Sequence, residues 1–339
     1  MSSKLFTGDA AGTPFHRGLI MKSIAVTSLA VAVLMTALAP VAAQEKTVAV
    51  FTKNQTNPWF QSFRNGADQA AKQFGVTVTH FVPERADNIQ DQISQVENAI
   101  TKKYSAFVVD PVDYKALVPA IQRANAAGIP LINFSDRLEG GDYKSFVGVP
   151  DYQVGVETAN YLIEALGGRG KIVILEGVKG SITSQDRNRG FQDVLAQHPD
   201  IVILDSQPAN YQRLMALQVM ENLLQSHAEI DGILATNDAM AIGAIEALQG
   251  AARTAKVIGI NGTAEAVDAI KAGTLLASTN SNPYLQGCVS TLLAARVING
   301  ESVIPEYAPA LTIIDASNAD AASVPDAERT CPTWEEISK

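Results

Sequence analysis

The sequence is poor in the residues that carry most metal and redox chemistry. It has two cysteines and four histidines in 339 residues. His16, His80, His198 and His227 lack metal-ligand spacing and no C-x-x-C pair occurs, so no metal site is expected. No G-x-G-x-x-G follows the first apolar run, and no G-x-x-x-x-G-K-[ST] loop is present. The glycine-rich stretch Gly167-Gly168-Arg169-Gly170 precedes an apolar run rather than a helix, so it reads as a helix stop. The usual dinucleotide and phosphate sites are thereby absent, no cofactor is expected, and an enzyme is disfavoured. Basic clusters are missing too. A net charge of −9 repels nucleic acid. With 47% apolar and 18% charged residues the composition is that of a folded globular chain.

What is present begins with an address. Met21-Lys22-Ser23 is a short positive start, Ile24–Ala39 is apolar, Pro40 breaks the run, and Val41-Ala42-Ala43 supplies small residues before Gln44. This is the pattern of a secretory signal peptide over residues 21–43, and its apolar core is short for a membrane anchor. Residues 1–20 read as an upstream extension, with initiation expected at Met21. The expected location is the periplasm.

The rest is organised around Thr47–Phe60, TVAVFTKNQTNPWF. A buried strand, Thr47–Phe51, runs into a polar turn that delivers Trp59 and Phe60 at the start of a helix. From there strand-like and helical runs alternate to the end. Apolar strands fall at Val76–Val82, Ala106–Val109, Pro130–Phe134 and Phe146–Val149, and a second series starts at Asp151. Alternation of this kind predicts an α/β fold with parallel sheets and right-handed crossovers. Two series predict two doubly wound lobes with a ligand cleft between them. The short joints at 147–151, 280–282 and 307–310 suit a three-stranded hinge. The expected division is 44–148 plus 282–309 for the first lobe, and 149–281 plus 310–339 for the second lobe and tail.

Polar residues follow the strands: Asn57, Asp110, Asp136-Arg137, Asn237-Asp238, Asn261 and Asn280-Ser281. In open parallel sheets those ends share one edge, where ligands bind. Asp and Asn also serve as helix N-caps, which is the plain reading of Asn237 or Asn261 taken singly. Arg137 and Arg187 are not caps. Carboxylate, amide and guanidinium beside Trp59 and Phe60 suit a polyhydroxylated ligand, because a hydroxyl both donates and accepts and a sugar's C–H face packs on a ring. Lys53 reads as a solvated turn residue. Cys288 lies in a helical pattern and reads as a small buried apolar residue. An exported protein can also pair it with Cys331, but the distance between the two is not legible in the sequence.

These segments resemble the periplasmic sugar-binding proteins of the ribose-binding type, which serve ABC importers. The resemblance spans about residues 46–315. It rests on Asn57-Pro58-Trp59-Phe60, Asp136-Arg137, Arg187 before Gly190-Phe191, Ser206–Tyr211, Thr236–Ala244 and Gly259–Thr263. It implies a monosaccharide held between two lobes. Asn57, Trp59, Phe60, Asp136 and Arg137 would line one side. Arg187, Tyr211 and Asn237 would face them, with Asn261 and Ser281 at further ligand positions. The family's ribose binders carry Asp at the position of Asn261, Gln at Ser281 and a serine-like residue at Lys53, so the sugar stays open among pentoses, hexoses, deoxysugars and linear polyols. The implied partner is a membrane permease, with a chemoreceptor or sensor kinase as the alternative and a monomer as the expected state. A sugar-responsive repressor shares the fold, but its DNA-binding headpiece would occupy the place where the export signal stands.

Overall fold

The computed structural model describes residues Glu45–Lys339. The expected signal segment and the stretch before it lie outside the described residues. The first strand, β1 (Thr47–Phe51), forms where expected and explains the first lobe. Its side chains alternate between two apolar layers. Val48 and Val50 face a cluster built on α1 (Pro58–Phe74) and α9 (Pro283–Ile298), while Ala49 and Phe51 face α2 (Ile89–Thr101) and α3 (Val118–Ala126). A strand apolar on both faces must be covered on both, which requires the doubly wound arrangement.

The first sheet also contains β2 (Thr77–Phe81), β3 (Ala106–Val109), β4 (Leu131–Phe134), β5 (Ser145–Val147) and β11 (Glu306–Tyr307). Its order is β11-β5-β4-β3-β1-β2, all parallel. The second sheet holds β6 (Gly170–Glu176), β7 (Ile201–Pro208), β8 (Gly232–Ala235), β9 (Lys256–Ile260), β10 (Ala277–Asn280) and β12 (Thr312–Ile314) in the order β12-β10-β9-β8-β6-β7. Ile172 and Ile174 of β6 pack toward α4 (Asp151–Ala165) and α5 (Ile182–Leu195). Val173 and Leu175 pack toward α6 (Arg213–Ser226), α7 (Asp238–Gly250) and α8 (Ala264–Lys271).

Between strands the chain passes from one sheet to the other three times, after β5, after β10 and between β11 and β12. Short strand β11 was not legible as a strand, and β12 departs from the expected parallel pattern by pairing antiparallel with β10. Helix α3 starts only at Val118: before it the Asp113 carboxylate accepts the backbone N–H groups of Lys115 and Ala116 and holds a turn.

Two expectations change at the C-terminus. Cys288 and Cys331 form a disulfide, with Cα atoms 5.3 Å apart, because the tail returns to lie against α1 and α9. The stretch 310–339, assigned above to the second lobe and its tail, packs on both lobes. Ala319 sits in the second lobe's core and Asp320 pairs with Lys271. From Asp326 onward the tail packs on the first lobe: Asp326 accepts from Asn65, Trp334 lies under Arg296, and Ile337 enters the first core. Among the described residues no helix is long and apolar enough to cross a membrane.

Candidate functional site

Both sheets reverse strand order at one point, between β1 and β3 in the first and between β6 and β8 in the second. The crevice outside the carboxyl ends at such a point is where open parallel sheets take ligands. The loops there line a cavity. Lys53 and Asn57 reach it after β1, Asp87 after β2, Asp110 after β3 and Ser135 after β4. Ser181, Thr183 and Arg187 come from the segment after β6, Tyr211 after β7, Asn237 after β8 and Asn261 after β9.

The apolar wall is set by helix packing. Gly66 of α1 and Gly287 of α9 allow the two helices to touch: a Cβ at either would lie 2.0 Å from a carbonyl oxygen of the other helix. That contact seats the first turn of α1, whose N-cap Asn57 accepts the Trp59 N–H at 3.0 Å. Trp59 stacks along Phe63 and Phe134, Phe60 packs edge-on against it, and both lie on the cavity. The Trp59 indole N–H donates to Ser281 Oγ at 2.9 Å, and Ser281 donates to Asn261 Oδ1 at 3.4 Å.

The first lobe's polar floor is a buried charge cluster. The Lys53 ammonium contacts Asp136 Oδ2 at 2.6 Å and Asp110 Oδ1 at 3.2 Å, and all three side chains are buried. Lys53 is therefore not the solvated turn residue expected, because two buried carboxylates draw it inward. Burial alone would lower its pKa, but Asp110 and Asp136 outweigh burial and hold it charged. Burial would likewise raise the Asp136 carboxyl. The Lys53 charge and bond, together with Thr183, turn that shift downward. Asp110 goes the other way: burial, reinforced by the Asp136 charge, raises it well above the usual carboxylate range against the pull of Lys53.

The second lobe supplies Arg187 and Tyr211. Arg187 Nε donates to Asp151 Oδ1 and Nη1 to the Thr236 carbonyl, both at 2.8 Å, which engages two of the five donors on its fork. Burial would lower its pKa, but the Asp151 carboxylate holds it up. Tyr211 and Asn210 both have positive φ, a conformation that costs energy outside glycine. The turn lays the Tyr211 ring over Gly177, where a Cβ would sit 2.3 Å from the ring. Burial pushes the Tyr211 phenol up to about 12, so it stays a neutral donor.

Of the ten residues expected at the site, the structure brings Asn57, Trp59, Phe60, Arg187, Tyr211, Asn237 and Asn261 onto the cavity. Asn237 also caps α7 through Met240 N–H, so its two readings coexist. Asn261 is no cap: Thr263 caps α8. Asp136 lies just beneath the surface as partner of Lys53, and Ser281 supports Trp59 and Asn261. Arg137 is elsewhere. The left-handed turn at Ser135 (φ 56°) turns that serine to the cavity, and Arg137 lies outside it, pairing with Glu306 at 2.8 Å and stacking on Phe146. Asp238 is structural, tied to Ser278 and Thr263. The charges lining the cavity are thus Lys53 and Arg187 against Asp87 and Asp110. Asp87, Ser181 and Thr183 carried no signal in the sequence. Asp110 was visible as a polar strand end, and Lys53 as a departure from the family pattern. Among the described residues no group of His, Cys, Asp and Glu is placed to hold a metal.

A family model for the periplasmic binding protein domain matches residues 48–302. The ribose import binding protein RbsB of Bacillus subtilis strain 168 is 32% identical over 260 residues, covering 77% of this chain and 84% of its own. A xylitol-binding protein of Mycolicibacterium smegmatis is 32% identical over 238 residues, covering 70% of this chain and 68% of its own. Among solved structures, an ABC transporter periplasmic solute binding protein from Actinobacillus succinogenes 130z with bound D-allose superposes with a TM-score of 0.78. It is 32% identical and covers 82% of this chain and all of that one. The chain belongs to the periplasmic binding protein family, among its sugar-binding members of the ribose-binding type.

Proposed function

We propose that this protein captures a neutral monosaccharide or sugar alcohol between its lobes in the periplasm and delivers it, without chemical change, to an ABC importer permease. The observation that carries the reading is the lining of the cavity. Two aromatic rings, formally balanced charges and unengaged hydrogen-bond groups face one cavity lined from both lobes. The relatives' ligands, ribose, xylitol and D-allose, are all neutral polyhydroxylated molecules. Balanced lining charge favours such a ligand over a sugar acid.

Closure provides the signal. Asp136 Oδ1 of the first lobe accepts Thr183 N–H at 3.1 Å and Ser181 Oγ–H at 3.2 Å in the second. A ligand touching both lobes adds to these contacts only when they are closed, and so shifts the population toward the closed form. The test is a thermal-shift screen of the mature protein, unfolded and refolded to strip bound ligand, against aldoses, ketoses, deoxysugars, polyols and uronic acids. A ligand at about 100 times its Kd stabilises by about 2.7 kcal/mol. A clear shift with one neutral sugar or polyol is expected. A response confined to uronic acids, or none from a folded protein, overturns the reading, and so does turnover of the bound sugar.

A further inference from the structure

Asp110 is fully buried, and among the described residues its Oδ2 has no hydrogen-bond partner. Buried polar atoms are nearly always paired, so an exception on a cavity wall calls for a reason. The rest of the residue is fixed. Oδ1 accepts the Asp136 N–H at 3.1 Å and contacts Lys53 at 3.2 Å. The backbone carbonyl accepts from Gln92 Nε2 at 2.8 Å, and Gln92 Oε1 in turn accepts the Val112 N–H at 2.8 Å. The loop after β3 is pinned on both sides of Asp110, which holds one oxygen unpaired at the switch point of the first sheet.

We propose that Asp110 contacts the ligand and, with Lys53, forms a subsite that recognises one hydroxyl group and helps set which sugar is bound. The proposal rests on the sugar-or-polyol reading above and deepens it. The Lys53 ammonium only donates, with two of its three donors facing Asp110 and Asp136, whereas Asp110 accepts when ionised and donates when protonated. One hydroxyl satisfies both sides, because it both donates and accepts: it pairs with Asp110 Oδ2 in either protonation state and accepts a hydrogen bond from Lys53. A deoxy carbon leaves both unpaired. A ligand carboxylate meets Asp110, and a ligand ammonium meets Lys53. Asp136 ties the pair to closure, because the carboxylate that holds Lys53 also reaches Ser181 and Thr183 of the other lobe.

The experiment is calorimetric titration of refolded, ligand-stripped wild type and Asp110→Asn with D-ribose, D-allose and xylitol, then with the monodeoxy analogues of the tightest binder. Asn keeps the volume and an acceptor for Asp136 N–H. Wild type is expected to lose at least about tenfold in affinity for one particular deoxy analogue. In Asp110→Asn the parent sugar binds at least about tenfold more weakly, and the penalty at that one carbon shrinks while the others persist. The wild-type complex solved with the same probe places Asp110 Oδ2 at hydrogen-bond distance from that hydroxyl, a readout independent of the variant's folding. Affinity in Asp110→Asn within a factor of about two, with an unchanged deoxy profile, or a complex in which Oδ2 touches no ligand atom, overturns the proposal while leaving sugar binding intact. Failure of wild type to bind any probe overturns the parent reading and this assignment with it.

Discussion

One carboxylate joins the two lobes: Asp136 takes the Lys53 ammonium on Oδ2 at 2.6 Å and the Thr183 backbone N–H of the opposite lobe on Oδ1 at 3.1 Å. Thr183 is in the first turn of α5, where unpaired N–H groups and the helix dipole favour an anion. Asp136→Asn keeps the shape and removes the charge. It is expected to lower stability by about 1.5–3 kcal/mol, the range for bonds to charged groups. Small-angle scattering of the ligand-free variant should show a larger radius of gyration than wild type.

The pH dependence separates Asp110 from Asp136. The Asp136 pKa is depressed in the folded state, so its stabilisation is present above the unfolded value near 3.8 and is lost as pH falls through the folded one. The Asp110 pKa is raised, so its contribution is present at low pH and is lost as pH rises through the folded value. Asp110→Asn removes that second loss. Relative to wild type, the ligand-free variant should gain stability as pH rises from about 4 to 8, by about 2–4 °C in Tm per kcal/mol for a chain of this order of size. Thermal unfolding across that range checks the sign.

The tail's disulfide closes a separation of 43 residues. Replacing both Cys288 and Cys331 with serine should lower stability by about 2–4 kcal/mol. The loss should be local first. Trp334 and Ile337 are held to α1 and α9 by packing and by Arg296, so limited proteolysis of the variant should cut within residues 324–339 before the sheets.

The protein's two tryptophans report on different places. Trp59 lies on the cavity, whereas Trp334 stacks under Arg296. Ligand should change Trp59 emission. Trp334→Phe should keep the ligand-dependent signal and Trp59→Phe should abolish it. Trp59→Ala should weaken binding by about tenfold or more, since a buried aromatic wall and the N–H bond to Ser281 are lost together.

Much of this was legible because period and punctuation agree. Strands β1 and β3 lie on the residues their apolar runs mark, since each is buried on both faces and followed by a polar turn. Asn57 and Asn237 were visible because a residue that ends a strand and caps a helix in this fold also stands at the cleft. What was hidden depends on contacts distant in sequence. Lys53 looks like a turn lysine until Asp110 and Asp136, from two other strand ends, close around it. Arg137 was expected at the ligand as part of the Asp136-Arg137 pair that follows a strand, but the chain turns at left-handed Ser135, which lines the cavity, while Arg137 pairs with Glu306 outside it. The disulfide was undecidable for the same reason: 43 residues separate its halves, and only the return of the tail brings them together.

The most direct test of the central claim is Arg187. Its fork is anchored on Asp151 and the Thr236 carbonyl, lies on the cavity, and belongs to the lobe opposite Trp59 and Phe60. Calorimetric titration of wild type, Arg187→Ala and the volume-preserving Arg187→Met with the sugar found in the screen measures its share in a folded background. If a ligand is held between the lobes, both variants lose affinity by about 10- to 100-fold, the cost of unpaired ligand oxygens. Unchanged affinity in a folded variant would contradict capture in this cleft.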